Sequence, residues 1–305
     1  MTPVTLPPHC NGVALSLEEL LYYQSHAVRW IPPARSVWSH LNGGHASRVR
    51  GRGMDFEEVR QYQQGDDIRS IDWRVTARTG KAHTKLFSED KEQAVILYLD
   101  LNSSMFFGSR YVYKSVQAAH LASVILWTTL AKKDRFGAMI DDGKTLFEHK
   151  PSALVRNGLA FLNQLTQRHN EQLGRATESR LPFSQTIERL KRMSPKGCEI
   201  IFISDFIKMN EQELNQITQL RQHNNLRLVQ LYDPLEQGET RYQGSVLASD
   251  GQHSRWFDFG SKKQKLALKN NFDQHQQSLR LLSYRNGIPF STLSSAESLI
   301  NQLSV

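Results

Sequence analysis

The stretch that decides the fold reads Ala94-Val95-Ile96-Leu97-Tyr98-Leu99, closed by Asp100-Leu101-Asn102-Ser103-Ser104. Apolar and aromatic residues in unbroken succession suit a strand buried on both faces, because a strand with one wet face alternates. Acid, amide and hydroxyl then mark its end. A second run of this kind, Cys198-Glu199-Ile200-Ile201-Phe202-Ile203, ends on Ser204-Asp205. A third, Leu226-Arg227-Leu228-Val229-Gln230-Leu231, is broken by Asp233-Pro234.

Helical patterns lie between these runs. Residues 114–132 present a broad apolar surface through Val116, Ala119, Leu121, Val124, Ile125 and Trp127. Residues 152–167 carry Leu154, Val155, Leu159, Leu162 and Leu165, and residues 183–192 and 210–221 suit two further helices. Residues 136–140 and 144–147 flank Asp141-Asp142-Gly143 and resemble a short hairpin. The resulting order, β-α-β-β-α-α-β-α-β, is the rhythm of a mostly parallel sheet covered by helices. Right-handed crossovers bring the loops after the strands to one edge of that sheet, where open α/β sheets bind ligands. The predicted fold class is therefore α/β, a mostly parallel sheet covered by helices, with a small N-terminal segment and a helical C-terminal tail.

The flanks read differently. Residues 16–30 suit a helix, with Ser16 and Glu19 as a capping box and Pro32-Pro33 as its stop. Residues 53–92 alternate in charge, with Phe56, Tyr62, Trp73 and Phe87 between the charges and turns at Gly65-Asp66 and Thr79-Gly80. They read as a small polar module knitted by arginine–carboxylate pairs, or as a partner-binding face. Residues 240–259 suit an extended hairpin weighted by Trp256, Phe257 and Phe259, and residues 261–285 a polar helix. No element is assigned to the Ser-rich end. The expected divisions are 1–92, a helix plus the charged module; 93–236, the sheet domain; and 237–305, a hairpin and helical extension.

Composition narrows the function classes. With 39% hydrophobic and 22% charged residues, the 305-residue chain is ordinary for a soluble protein. A net charge of +8 permits binding to nucleic acid, but the basic residues are dispersed. Runs such as Arg48-Val49-Arg50-Gly51-Arg52 and Lys262-Lys263 are short, which favours a solvated surface over a nucleic-acid interface. Two cysteines give no disulfide framework, and Cys198 reads as a small buried residue. Residues 1–15 lack the basic start of a signal peptide, and the apolar stretch 118–130 is interrupted and too short to span a bilayer. A cytoplasmic chain without a direct membrane span is expected.

Asp100, Asn102 and Ser104 offer oxygen at alternate positions of a tight loop, and Asp205 follows the second strand. Carboxylate, amide and hydroxyl oxygens suit a hard divalent cation. A third loop offers Thr177 or Ser184. The competing reading makes these residues helix caps that bind nothing. Catalytic signatures are weak. There is no Gly-rich phosphate loop ending in Lys-Ser or Lys-Thr, and no Gly-x-Ser-x-Gly elbow. His120 sits mid-helix and reads as packed or surface, and the other histidines lack metal-ligand spacing. A metal-dependent hydrolase built on Asp100 and Asp205 needs a general base that the sequence does not nominate.

The stretches GRGMDFEEVRQYQQGDDIRSIDWRVTARTG (51–80), KLFSEDKE (85–92), YLDLNSSMFFGS (98–109), KSVQAAHLASVILW (114–127), KKDRFGAMI (132–140), ISDF (203–206) and YDPLE (232–236) resemble the bacterial domain-of-unknown-function family fifty-eight. The resemblance implies a von Willebrand factor type A-like domain on a doubly wound, mostly parallel, Rossmann-like sheet, preceded by the family's characteristic segment. It implies Mg²⁺ or another divalent cation at a metal-ion-dependent adhesion site, its shell completed by the acidic group of a protein partner. It also implies a MoxR-type AAA+ ATPase as partner, in complex assembly or maturation. By the same resemblance, Asp100 matches the first Asp of Asp-x-Ser-x-Ser, Ser104 its second Ser and Asp205 the last-loop Asp, while the middle-loop Thr falls either on Thr177 or on a residue near Leu181. Asn102 stands where the first Ser is expected; its bulk and its NH₂ alter the geometry. The expected function is a non-enzymatic interaction adaptor with a degenerate adhesion site, with a metal-dependent hydrolase and a nucleic-acid-binding module as alternatives.

Overall fold

The computed structural model describes residues 5–29, 54–63, 66–89, 93–174, 181–240, 242–249 and 254–303. Pro32-Pro33, the basic run at 48–52 and Gly65 lie outside the described residues. The chain divides into two compact units, Met1–Leu41 with Gln93–Val305, and Asn42–Glu92.

The larger unit is built on β3 (Ala94–Asp100), whose seven residues are all buried. Side chains alternate across a strand. Val95, Leu97 and Leu99 accordingly join one apolar cluster, and Ala94, Ile96 and Tyr98 join another. The unbroken apolar run is thus the signature of a sheet covered on both faces. Truncating a side chain such as Leu97 costs about 2–5 kcal/mol at so enclosed a position.

One face is covered by α1 (Leu17–Arg29), α3 (Lys114–Ala131), α4 (Val155–Gln172) and the short α8 (Leu299–Leu303), which contribute to the first cluster. The other face carries α5 (Phe183–Met193), α6 (Glu211–Gln219) and α7 (Lys262–Asn286). Helix α3 is buried from Lys114 through Thr129, as a helix apolar on every side must be. Ser16 and Glu19 do form the expected capping box at α1, each accepting from the other's backbone N–H. Ser261 caps α7, and Gly287, in the left-handed region, ends it.

Six strands form the sheet, in the order β5 (Leu146–Ser152), β4 (Arg135–Asp141), β3, β6 (Glu199–Ser204), β7 (Asn225–Tyr232), β10 (Phe290–Ser294). Only β5 is antiparallel to its neighbour, across the predicted Asp141-Asp142-Gly143 turn. The rest are parallel, which gives the mostly parallel α/β sheet read from the strand rhythm and the double winding that the family resemblance implies. Strand β10 had no assignment in the sequence. Its residues, Phe-Ser-Thr-Leu-Ser, are largely polar because an edge strand needs less apolar cover, and they pair with residues 228–232 of β7. The sheet therefore draws on residues beyond 237. The predicted C-terminal hairpin is β8 (Ser245–Ser249) against β9 (Ser254–Asp258).

In the smaller unit, β1 (Met54–Gln61) pairs antiparallel with β2 (His83–Glu89), and α2 (Trp73–Thr79) lies between them in sequence. Ion pairs join Arg60 to Asp66 and Lys85 to Asp72. Asp72 also caps α2, accepting from the backbone of Arg74 and Val75, and Gly80 closes the helix in the left-handed region. Part of the charge pattern is thus helix capping.

Candidate functional site

The switch point of the sheet lies between β3 and β6, from which the strand order runs outward both ways. Asp100 ends β3, Asp141 ends β4, Asp205 follows β6 and Asp233 follows β7, so four adjacent strands each deliver an acid to one edge. All four are buried.

Asp100 is held by its own chain. Its Oδ1 accepts from Asn102 N at 2.8 Å and from Asn102 Nδ2 at 2.6 Å, and its Oδ2 accepts from Ser204 Oγ at 2.5 Å. Burial, and then the charges of Asp205 and Asp141, raise its pKa from 3.8 to about 6. Asn102 therefore turns its NH₂, not its carbonyl, towards Asp100. Ser104 Oγ is buried beside Asp205 and helps hold its charge, yet completes no hydrogen bond of good geometry.

Asp205 is paired with a lysine. Lys114 Nζ donates to Asp205 Oδ2 at 2.8 Å and also to Glu236, and the Lys114 side chain is 0% exposed. Burial alone would raise the pKa of Asp205 and lower that of Lys114. Their mutual attraction, joined by Glu236 on the lysine, reverses both, so Asp205 stays below the usual carboxylate range and Lys114 above the usual amine range. Ile207 N adds a further donor to Asp205 at 3.1 Å. Glu236 remains raised, because burial outweighs its share of the lysine.

The sequence expectation named Asp100, Asn102, Ser104, Asp205 and Thr177. The structure brings the first four to one edge; Thr177 lies outside the described residues. It missed Lys114, Ser204, Asp233 and Glu236. Lys114 did carry a signal: it opens an apolar helix with no acid in its first turn, where the helix dipole disfavours a cation. Asp233 is a hub that accepts from Ser109 N at 2.8 Å, Ser109 Oγ at 2.5 Å, Ser295 Oγ at 2.6 Å and Leu235 N at 2.9 Å. It ties the Asp100 loop to the end of β10.

These residues do not fit a divalent ion as they stand. Both oxygens of Asp100 already accept hydrogen bonds, Asn102 presents nitrogen, and a buried ammonium occupies Asp205. A second cation beside Lys114 would meet like-charge repulsion in a poorly screened interior. Ser104 Oγ completes no hydrogen bond of good geometry among the described residues. Elsewhere, Ser115 Oγ and His169 Nε2 lie 2.9 Å apart, a spacing that at a surface would suggest a nucleophile and its base. Both residues are wholly buried, Phe106 packs on the imidazole, and burial first of all holds His169 down to about 4. That pair is a core hydrogen bond.

A sequence profile of the family described as protein of unknown function DUF58 matches residues 58–280. The chain belongs to DUF58. An uncharacterized protein of Mycobacterium tuberculosis (strain H37Rv) is 35% identical to this DUF58 chain over 167 residues, 55% of this chain and 51% of the relative. One from Mycobacterium bovis matches equally. The chain thus matches about half the length of these curated relatives. Among solved structures, the conserved hypothetical protein BatB from Bacteroides thetaiotaomicron is similar over 70% of this chain and 94% of its own, at 12% identity and a TM-score of 0.42. An aerotolerance-related membrane protein from Bacteroides fragilis is similar over 70% and 96%, at 10% identity and the same score. So loose a likeness carries no weight for function. Among the described residues, no helix of this DUF58 chain is long and apolar enough to cross a membrane.

Proposed function

We propose that the chain is a non-enzymatic interaction adaptor whose strand-end face is a degenerate, von Willebrand factor type A-like adhesion site working without a free ion. The buried Lys114–Asp205 pair carries this reading, because it supplies within the chain the positive charge that an adhesion site takes from a divalent cation. Around it the face exposes Phe107, at 37%, and Ile207, at 53%. Lys208 lies beside them and donates to Ser103 Oγ at 2.7 Å. The apolar pair offers area to bury, and Lys208 with the loop hydroxyls meets an acidic group on the partner.

The family resemblance points to a MoxR-type AAA+ ATPase as that partner, with the chain acting in complex assembly or maturation. Work beside an ATP-hydrolysing machine implies the cytoplasm. The test is capture of a purified MoxR-type ATPase from the same genome on the immobilised chain, with and without chelator. Capture is expected to be indifferent to chelator and lost in Ile207→Asp. Capture that chelator abolishes, or that Ile207→Asp leaves intact, overturns the reading.

A further inference from the structure

We propose that Cys10, Glu19 and His120 form a binding site for a zinc-class divalent ion, separate from the strand-end face. The ligand atoms of these three side chains all lie within 4.8 Å of one another. Thiolate sulfur, imidazole nitrogen and carboxylate oxygen together suit a borderline-soft ion that accepts four tetrahedral ligands. Glu19 and His120 are wholly buried, whereas Cys10 is half-buried and leaves a route of entry.

The site has unmet valences. Glu19 accepts from His120 Nε2 and from Ser16 N, with the Cys10 thiol close by. Even so, His120 Nδ1 and the Tyr23 hydroxyl are buried with no hydrogen-bond partner. The Tyr23 ring packs on His120 at 4.8 Å between centroids, and burial above all pushes its phenol up. Interiors rarely leave two such groups unsatisfied side by side. Three protein ligands leave a fourth position, which the Tyr23 phenol or a water can take. The charges also balance: one thiolate and one carboxylate neutralise a divalent ion, so the filled site buries no net charge. The thiol proton leaves to solvent as the ion enters, and the neutral imidazole keeps its single proton on the ring nitrogen that does not ligate the ion.

The backbone holds Cys10 in place. Tyr113 N donates to Gly12 O at 2.9 Å, and a Cβ on Gly12 would lie 2.7 Å from Tyr111 O. The N-terminal segment is thereby pinned to the residues that precede α3. An ion here would clip that segment, α1 and α3 together.

The test is titration of the full-length chain with Co²⁺ and Zn²⁺ after chelator treatment. One equivalent of Co²⁺ should bind with a thiolate-to-cobalt charge-transfer band that Zn²⁺ abolishes. Cys10→Ser, with unchanged circular dichroism, should lose the band and weaken Zn²⁺ binding more than about 10-fold, the scale at which even outer partners of a metal ligand act. Cys198→Ser should keep the band. His120→Gln should behave like Cys10→Ser; should it misfold, the half-exposed Cys10 position decides. No stoichiometric uptake by the wild type, uptake without the band, or a band that survives in Cys10→Ser overturns the proposal.

Discussion

Replacing Lys114 by methionine tests the internal cation directly. The substitution keeps most of the volume and removes the charge, leaving buried Asp205 and the largely buried Glu236 without their counter-ion. Breaking a buried pair by removing one partner costs about 3–5 kcal/mol. A second route gives the same size. The stranded acids can escape only by protonation, and protonating one carboxyl of ordinary pKa near 4 at neutral pH costs about 4 kcal/mol, at 1.36 kcal/mol per pH unit. Lys114→Met should therefore lose about 3–5 kcal/mol in urea unfolding at pH 7, followed by tryptophan fluorescence. With the ammonium gone, Asp205 and Glu236 flank a vacated cationic position, so Mg²⁺ should restore part of the loss. A ligand at 100 times its Kd restores about 2.7 kcal/mol. The wild type should not respond to Mg²⁺. A loss below about 1 kcal/mol, or a wild type that Mg²⁺ stabilises as strongly as the variant, refutes the view that Lys114 stands in for the ion.

Asp100→Asn should gain on the wild type as pH rises. The folded pKa of Asp100, about 6, lies above the ordinary 3.8, so the folded state holds the proton more tightly and ionisation costs stability between those values. Urea midpoints at pH 4 and pH 7.5 should show the difference shifting in the variant's favour by up to about 3 kcal/mol, and a shift in the opposite sense would contradict the assigned cause. Asp205→Asn should show the reverse, because its pKa is depressed: the wild-type advantage is present above pH 4 and fades as pH falls through the lowered value. Asp233→Ala should cost about 2–4 kcal/mol by stranding the Ser109 and Ser295 donors; thermal unfolding within a degree of wild type would count against its role as a hub. Gly108→Ala should destabilise by about 1–3 kcal/mol, since its Cβ would sit 2.2 Å from Val112 O, and the same midpoint measurement checks it.

The sheet was legible wherever burial on both faces wrote an unbroken apolar run, as at Ala94 through Leu99. It was illegible at β10, where an edge position tolerates Ser and Thr and the pattern vanishes. The same contrast governs the sites. Asp100 and Asp205 were visible because each stands where a buried strand stops. His120 read as packed or surface, and so it had to, because its partners Glu19 and Cys10 come from another helix and another segment. No spacing along the chain encodes that α1 lies on α3. Lys114 was the legible residue left unread, since a cation in the first turn of an otherwise buried helix is unfavourable unless an acid from elsewhere meets it.

That omission bears on how an Asp-x-Asn-x-Ser loop is to be understood. Oxygen donors at alternate positions serve an ion and an internally satisfied loop equally well, so the pattern cannot choose between them. The acids at the four strand ends are instead matched by donors from this chain: Tyr98 and Gly143 for Asp141, Asn102 and Ser204 for Asp100, Lys114 and Ile207 for Asp205, Ser109 and Ser295 for Asp233. A site open to a free ion needs carboxylate oxygens turned towards it, and here Asp100 and Asp205 each accept from donors of this chain, one of them an ammonium. The decision between the two outcomes lies in the cation that opens the next helix. Whether such a loop binds an ion is therefore to be read from Lys114 and its neighbours, and not from the loop alone.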